Sequence, residues 1–103
     1  MRMTDPLEAV AVVSDEVLVQ EVSGEAVLLD LATETYFGLN PAGARFWTLL
    51  GRLGRGERVV ATMVGEFEVS EERLRTDMRQ FLRHLVEKGL VTLEPADNHP
   101  NVA

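Results

Sequence analysis

Up to Leu39 the apolar residues gather in short runs rich in β-branched residues and bounded by polar turns, and from Asn40 onward they recur at helical spacing. Val17-Leu18-Val19-Gln20-Glu21-Val22 is rich in β-branched residues and predicts a strand. Ser23-Gly24-Glu25 supplies a turn, and Ala26 to Leu31 reads as a second strand. Ala32-Thr33-Glu34 is a second turn, and Thr35 to Leu39 a third strand. Strands joined by such short polar turns form an antiparallel meander. Val10 to Val13 is a short apolar run that can add a further strand, and residues 1–8 read as a loose arm.

Asn40 is a good N-cap, and Pro41 suits the first helical position, where its missing N–H is not needed. A first helix is expected to about Leu53, with Phe46, Leu50 and Leu53 on one face and Trp47 beside them. Gly51, Gly54 and Gly56 then interrupt the pattern. A second helix is expected from about Glu57 to Phe67, weakened by Gly65. The third helix has the clearest signal. Ser70 caps it, Glu71 and Glu72 suit the positive end of its dipole, and Leu74, Met78, Phe81, Leu82 and Leu85 form one stripe. Gly89 and Leu90 predict a Schellman ending.

The order β-β-β-α-α-α, with Glu68-Val69-Ser70 linking the last two helices, predicts an α+β, winged-helix-like domain. The expected layout is an N-terminal arm over residues 1–16, a domain over 17–93 and a flexible tail over 94–103. At 103 residues the chain is one domain with a small core. It has no Cys, which excludes disulfides, thiol nucleophiles and zinc ribbons. His84 and His99 share no ligand motif, so no metal or other cofactor is implied. No apolar run reaches membrane-spanning length and no signal peptide opens the chain, so a cytoplasmic protein without a membrane partner is expected. The net charge of −7 disfavours nucleic acid, which needs clustered Lys and Arg.

Two longer stretches carry a resemblance. VLLDLATETYFGLNPAGARFWTLL, residues 27–50, is similar to the strand-turn-strand and Leu-Asn-Pro helix start of the PqqD family. VSEERLRTDMRQFLRHLVEKGLV, residues 69–91, is similar to that family's last helix, with Asp77 in an Arg-x-Asp position and a terminal Gly-Leu. These are small recognition domains from pathways of ribosomally made, post-translationally modified peptides (RiPPs). Tyr-Phe-Gly-Leu-Asn-Pro resembles the free-standing members from lasso-peptide clusters. The resemblance implies a non-enzymatic protein. It would bind the leader of a precursor peptide as a strand added to strand three, beside helix three. It would deliver that precursor to a separate leader peptidase, a transglutaminase-like cysteine protease, and to a lasso cyclase.

The residues agree with that implication. Residues 35–39 lie at the edge of the meander and carry no Lys or Pro to blunt it. Alternation puts Tyr36 with Gly38 on one face and Phe37 with Leu39 on the other, so one pair can enter the core while the other meets a ligand. Gly38 leaves room for a second backbone. The expected peptide-binding residues are Thr35, Tyr36, Phe37, Gly38, Leu39, Leu74, Arg75, Asp77, Met78 and Phe81. Leu74 and Met78 are expected at the groove edge, with Phe81, Leu82 and Leu85 mostly in the core. Arg75, Arg79 and Arg83 share a helix face, either salt-bridged to Glu71 or Glu87 or forming a rail for acidic leader residues. Two rival readings remain open: a winged-helix DNA-binding regulator, which the Arg content of helix three supports, and a peptide chaperone in cofactor (PQQ-type) biosynthesis.

Overall fold

The computed structural model describes residues 5–23 and 25–95. Its elements run from a 3-10 turn at Pro6–Glu8 through β1 (Val10–Val13), β2 (Val17–Val22), β3 (Glu25–Asp30) and β4 (Thr35–Leu39). Helices α1 (Pro41–Leu53), α2 (Gly56–Met63) and α3 (Glu71–Glu87) follow, and β5 (Val91–Glu94) ends the order. The meander is present as an antiparallel three-stranded sheet in the order β2-β3-β4. The expected α+β, winged-helix-like arrangement is therefore the observed one.

Local chemistry sets the boundaries. The Asn40 side chain accepts the Gly43 N–H at 2.8 Å, and Gly54 ends α1 at φ 80°. The Ser70 hydroxyl accepts the Arg73 N–H at the start of α3. The Leu90 N–H donates to the Leu85 carbonyl and the Gly89 N–H to that of Val86, the paired bonds of a Schellman motif. Helix α2 stops at Met63, short of the expected Phe67. The N–H groups of Glu66 and Phe67 both turn back to the Met63 carbonyl, and Phe67 packs on the core from that turn.

Residues 5–8 depart from the expectation of a loose arm, while the further strand expected over Val10 to Val13 is present as β1. Leu7 is completely buried, and β1 pairs with β5 from Val10 opposite Glu94 to Val13 opposite Val91. The Ala11 N–H donates to the Gly54 carbonyl at 2.7 Å. The reason is apolar content: Leu7, Ala9 and Ala11 all bury side chains. Residues 1–4 of the expected arm and 96–103 of the expected tail lie outside the described residues.

One core joins the helices to the inner face of the sheet. Phe46, Leu50, Val59, Val60, Met63, Leu82 and Leu85 are buried at its centre, with Leu28 and Ala26 of β3 against them. Trp47, beside Phe46 on α1, is buried there too. Asp30 is a buried carboxylate, and it accepts the Ala32 N–H at 3.0 Å, which shapes the turn into β4.

Candidate functional site

Among the described residues β4 pairs only with β3, which leaves it at the edge of the three-stranded sheet. Its faces are set by register: Phe37 lies opposite the buried Leu28, and Tyr36 opposite Leu29. Phe37 and Leu39 therefore face the core, where Leu39 is buried and Phe37 packs against the cluster. Tyr36 and Gly38 face out, and Tyr36 is 69% exposed. A Cβ on Gly38 would meet nothing within 4 Å.

The direction of the main-chain groups follows from one bond. The N–H of Leu31, the residue after β3, donates to the Glu16 carbonyl, so the odd-numbered positions of β3 bond toward β2. Alternation then directs Ala26, Leu28 and Asp30 to β4, where their partners are Leu39, Phe37 and Thr35. Tyr36 and Gly38 are left with their N–H and C=O groups turned to the open edge.

Where the chain leaves β4, a pocket of about 440 Å³ opens between the start of α1 and α3. Asn40 and Gly43 line one wall, and Asp77, Gln80, Phe81 and His84 the other, with Met78 contributing from the core side. The Phe81 ring stands edge-on to Phe46, centroids 5.7 Å apart at 76°. Gly43 makes the room: a Cβ there would lie 3.4 Å from Phe81 Cζ and 3.2 Å from Asn40 Oδ1. On the outer sheet face a second depression gathers Tyr36 with Leu18, Gln20, Val27 and Leu29.

Of the residues expected to bind peptide, Thr35, Tyr36 and Gly38 are exposed along the edge, and Asp77, Met78 and Phe81 line the pocket. Leu74 and Phe81 exchange their expected places. Leu74 is buried, as is most of Met78, whereas Phe81 is half-buried at the pocket wall. Successive residues turn about 100° around a helix, which centres the buried stripe on Leu74, Met78, Leu82 and Leu85 and puts Phe81 on its flank. Arg75 is on the other flank. Its guanidinium, with that of Arg79, meets Asp5, at 3.5 and 3.0 Å. Neither Glu71 nor Glu87 is their partner, because a carboxylate brought by the N-terminal segment lies closer. Arg79 bonds the Asp5 carboxyl and holds it below its ordinary value.

Asn40, Gly43, Gln80 and His84 were not expected in the site. The signal for the last two is helical spacing from Asp77, at three and seven residues further on. Asn40 does serve as the cap expected of it, and the same side chain faces the pocket. Among the described residues no group of acidic or His side chains could hold a metal ion. No described helix is long and apolar enough to cross a membrane. The Arg content that favoured DNA is largely engaged: Arg75 and Arg79 with Asp5, and Arg73 with Asp77 at 3.3 Å.

The family described as coenzyme PQQ synthesis protein D (PqqD) matches residues 25–91, from β3 to the first residue of β5. The chain belongs to the PqqD family. Among solved structures, TbiB1 in complex with the TbiA(beta) leader peptide is 40% identical to this PqqD-family chain. The match covers 77% of this chain and 92% of TbiB1 at a TM-score of 0.71. A lasso peptide synthetase B1 complexed with the leader peptide has the same TM-score at 23% identity, and the match covers 80% of this chain and 96% of that one. The second likeness speaks to the PqqD fold alone. No curated protein matches the chain.

Proposed function

We propose that this PqqD-family protein binds the leader of a RiPP precursor peptide and acts in lasso-peptide biosynthesis. The leader adds as a strand to β4, antiparallel or parallel, beside α3. The observation that carries this reading is the open edge itself: Tyr36 and Gly38 present unpaired main-chain groups next to a pocket built from α1 and α3. The 40% identity to TbiB1, solved with a leader peptide, supports it.

Energetics divide the work between edge and pocket. Micromolar affinity needs about 8 kcal/mol. Ordering a flexible peptide costs about 1–2 kcal/mol per residue, while each backbone hydrogen bond returns about 0.5–1.5 kcal/mol. The added strand roughly breaks even. Buried leader side chains, at about 1.5–3 kcal/mol each, supply the surplus, and the Phe81 pocket is where an aromatic, Pro or Leu anchor seats. Asp77 lines the pocket and, beyond the oxygen that accepts from Arg73, offers its second carboxylate oxygen to leader N–H groups.

The protein catalyses nothing in this reading. It presents the bound precursor to a separate leader peptidase, a transglutaminase-like cysteine protease, and to a lasso cyclase. Fluorescence anisotropy of labelled TbiA(beta) leader, with a random DNA duplex as parallel probe, tests it. Saturable leader binding that collapses in Tyr36→Ala, with the variant still folded by circular dichroism, is expected. Salt-sensitive DNA binding with no response to leader would overturn it.

A further inference from the structure

Helix α3 is one wall of the groove, yet it is held mostly from elsewhere. It rests on α2, the Pro6–Glu8 turn, β5 and α1, and has little direct contact with β4. The N-terminal segment is the fastening on the side away from the pocket. Asp5 Oδ1 and Oδ2 accept from Arg79 Nε and Nη2 at 3.1 and 3.0 Å, and Oδ2 also from Arg75 Nη2 at 3.5 Å. Oδ1 takes the Leu7 N–H at 3.0 Å as well, so one carboxylate ties the 3-10 turn to α3. Leu7 beside it is buried so closely against Gly56 that a Cβ on the glycine would come within 2.6 Å of Leu7 Cδ2.

Further along α3 this fastening gives way. A cleft of about 470 Å³ lies between Pro6 and Ala9 on one side and Arg83 and Val86 on the other, with Leu93 of β5 behind. The segment is packed to the core through Leu7, but beside Arg83 and Val86 it stands off the helix, so its polar hold on α3 is concentrated at Asp5. Arg75 and Arg79 lie on one flank of the buried stripe of α3, and Asp77, Phe81 and His84 on the other. A rotation or shift of the helix at the clamp is therefore transmitted across it to the pocket wall.

We propose that Asp5 is a positioning residue for the groove: by holding Arg75 and Arg79 it fixes the placement of α3 relative to β4, and with it the width of the leader-binding cleft. This rests on the leader-binding reading for its functional consequence, but not for its structural one. The clamp touches no part of the groove and acts only through the helix.

Two readouts on Asp5→Asn test it, each performed on the full chain. Amide and side-chain NMR shifts without any peptide report the structure. Displaced signals at Asn40, Gly43, Phe81 and His84 are expected, and changes confined to residues near positions 5–8, 75 and 79 would overturn the inference. Anisotropy with labelled TbiA(beta) leader reports the consequence, at a temperature where the variant is fully folded. Affinity is expected to fall roughly three- to thirtyfold and to be largely restored in Asp5→Glu. A lower melting temperature with unchanged affinity and an unmoved pocket would make Asp5 structural only. If the unaltered protein ignores the leader, the leader-binding reading falls, and the NMR comparison still decides whether Asp5 positions α3.

Discussion

Phe81 stands edge-on to Phe46, ring centroids 5.7 Å apart, and this pair joins the pocket wall on α3 to the core of α1. Phe46 is completely buried and Phe81 only half. The two truncations should therefore part company. Phe46→Ala should cost about 3–5 kcal/mol, a large share of a small domain's stability. Phe81→Ala should cost clearly less and yet weaken leader binding more per unit of stability lost. Denaturant melts paired with leader titrations separate the two effects.

Tyr36 is the cleanest probe of the edge, because little of it is buried. Tyr36→Ala should leave stability within about 0.5 kcal/mol, as exposed substitutions do, while leader affinity drops. Chemical denaturation and anisotropy on the same preparation check both halves.

The N-terminal segment should behave as core. Leu7→Ala is expected to cost about 2–5 kcal/mol, as for a fully buried leucine. Gly56→Ala forces a Cβ to within 2.6 Å of Leu7 Cδ2 and should cost about 1–3 kcal/mol by overpacking. Combining Gly56→Ala with Leu7→Ala should cost less than the sum, since the smaller residue 7 leaves room. Thermal melts of the three variants suffice.

Acid should expose the clamp. The hydrogen bonds from Arg79 hold the Asp5 carboxyl below its ordinary value, with the Leu7 N–H and the charge of Arg79 and Arg75 acting in the same direction against partial burial. A carboxylate depressed in the folded state contributes stability that is complete above its unfolded pKa, about 3.9, and lost as pH falls through the folded value. The stability gap between the unaltered protein and Asp5→Asn should be constant from neutral pH down to about pH 5 and shrink below the ordinary carboxylate range. The exposed Arg45–Glu66 pair also lowers a carboxyl, that of Glu66, so Glu66→Gln is the control that separates the two.

Much of this fold was legible because its signals are local. Asn40-Pro41, Ser70 and Gly89-Leu90 mark helix ends through bonds that span a few residues, and the meander follows from β-branched runs joined by short polar turns. The edge position of β4 was legible for the same reason. Which face of it is core was not, because Tyr36-Phe37-Gly38-Leu39 satisfies either choice until Leu28 is seen opposite Phe37. Leu74 and Phe81 differ in burial through a rotation of α3 that periodicity does not resolve. The Asp5 clamp was invisible: its partners are 70 and 74 residues away, and nothing near Asp5 announces them.

The most direct test of strand addition is amide hydrogen exchange, residue by residue along β4, with and without TbiA(beta) leader. The N–H groups of Phe37 and Leu39 are directed to β3 and should be protected in both states. Those of Tyr36 and Gly38 face the open edge and should exchange fast alone and slowly with leader bound. Saturable leader binding that leaves Tyr36 and Gly38 exchanging freely would place the peptide elsewhere and contradict the account.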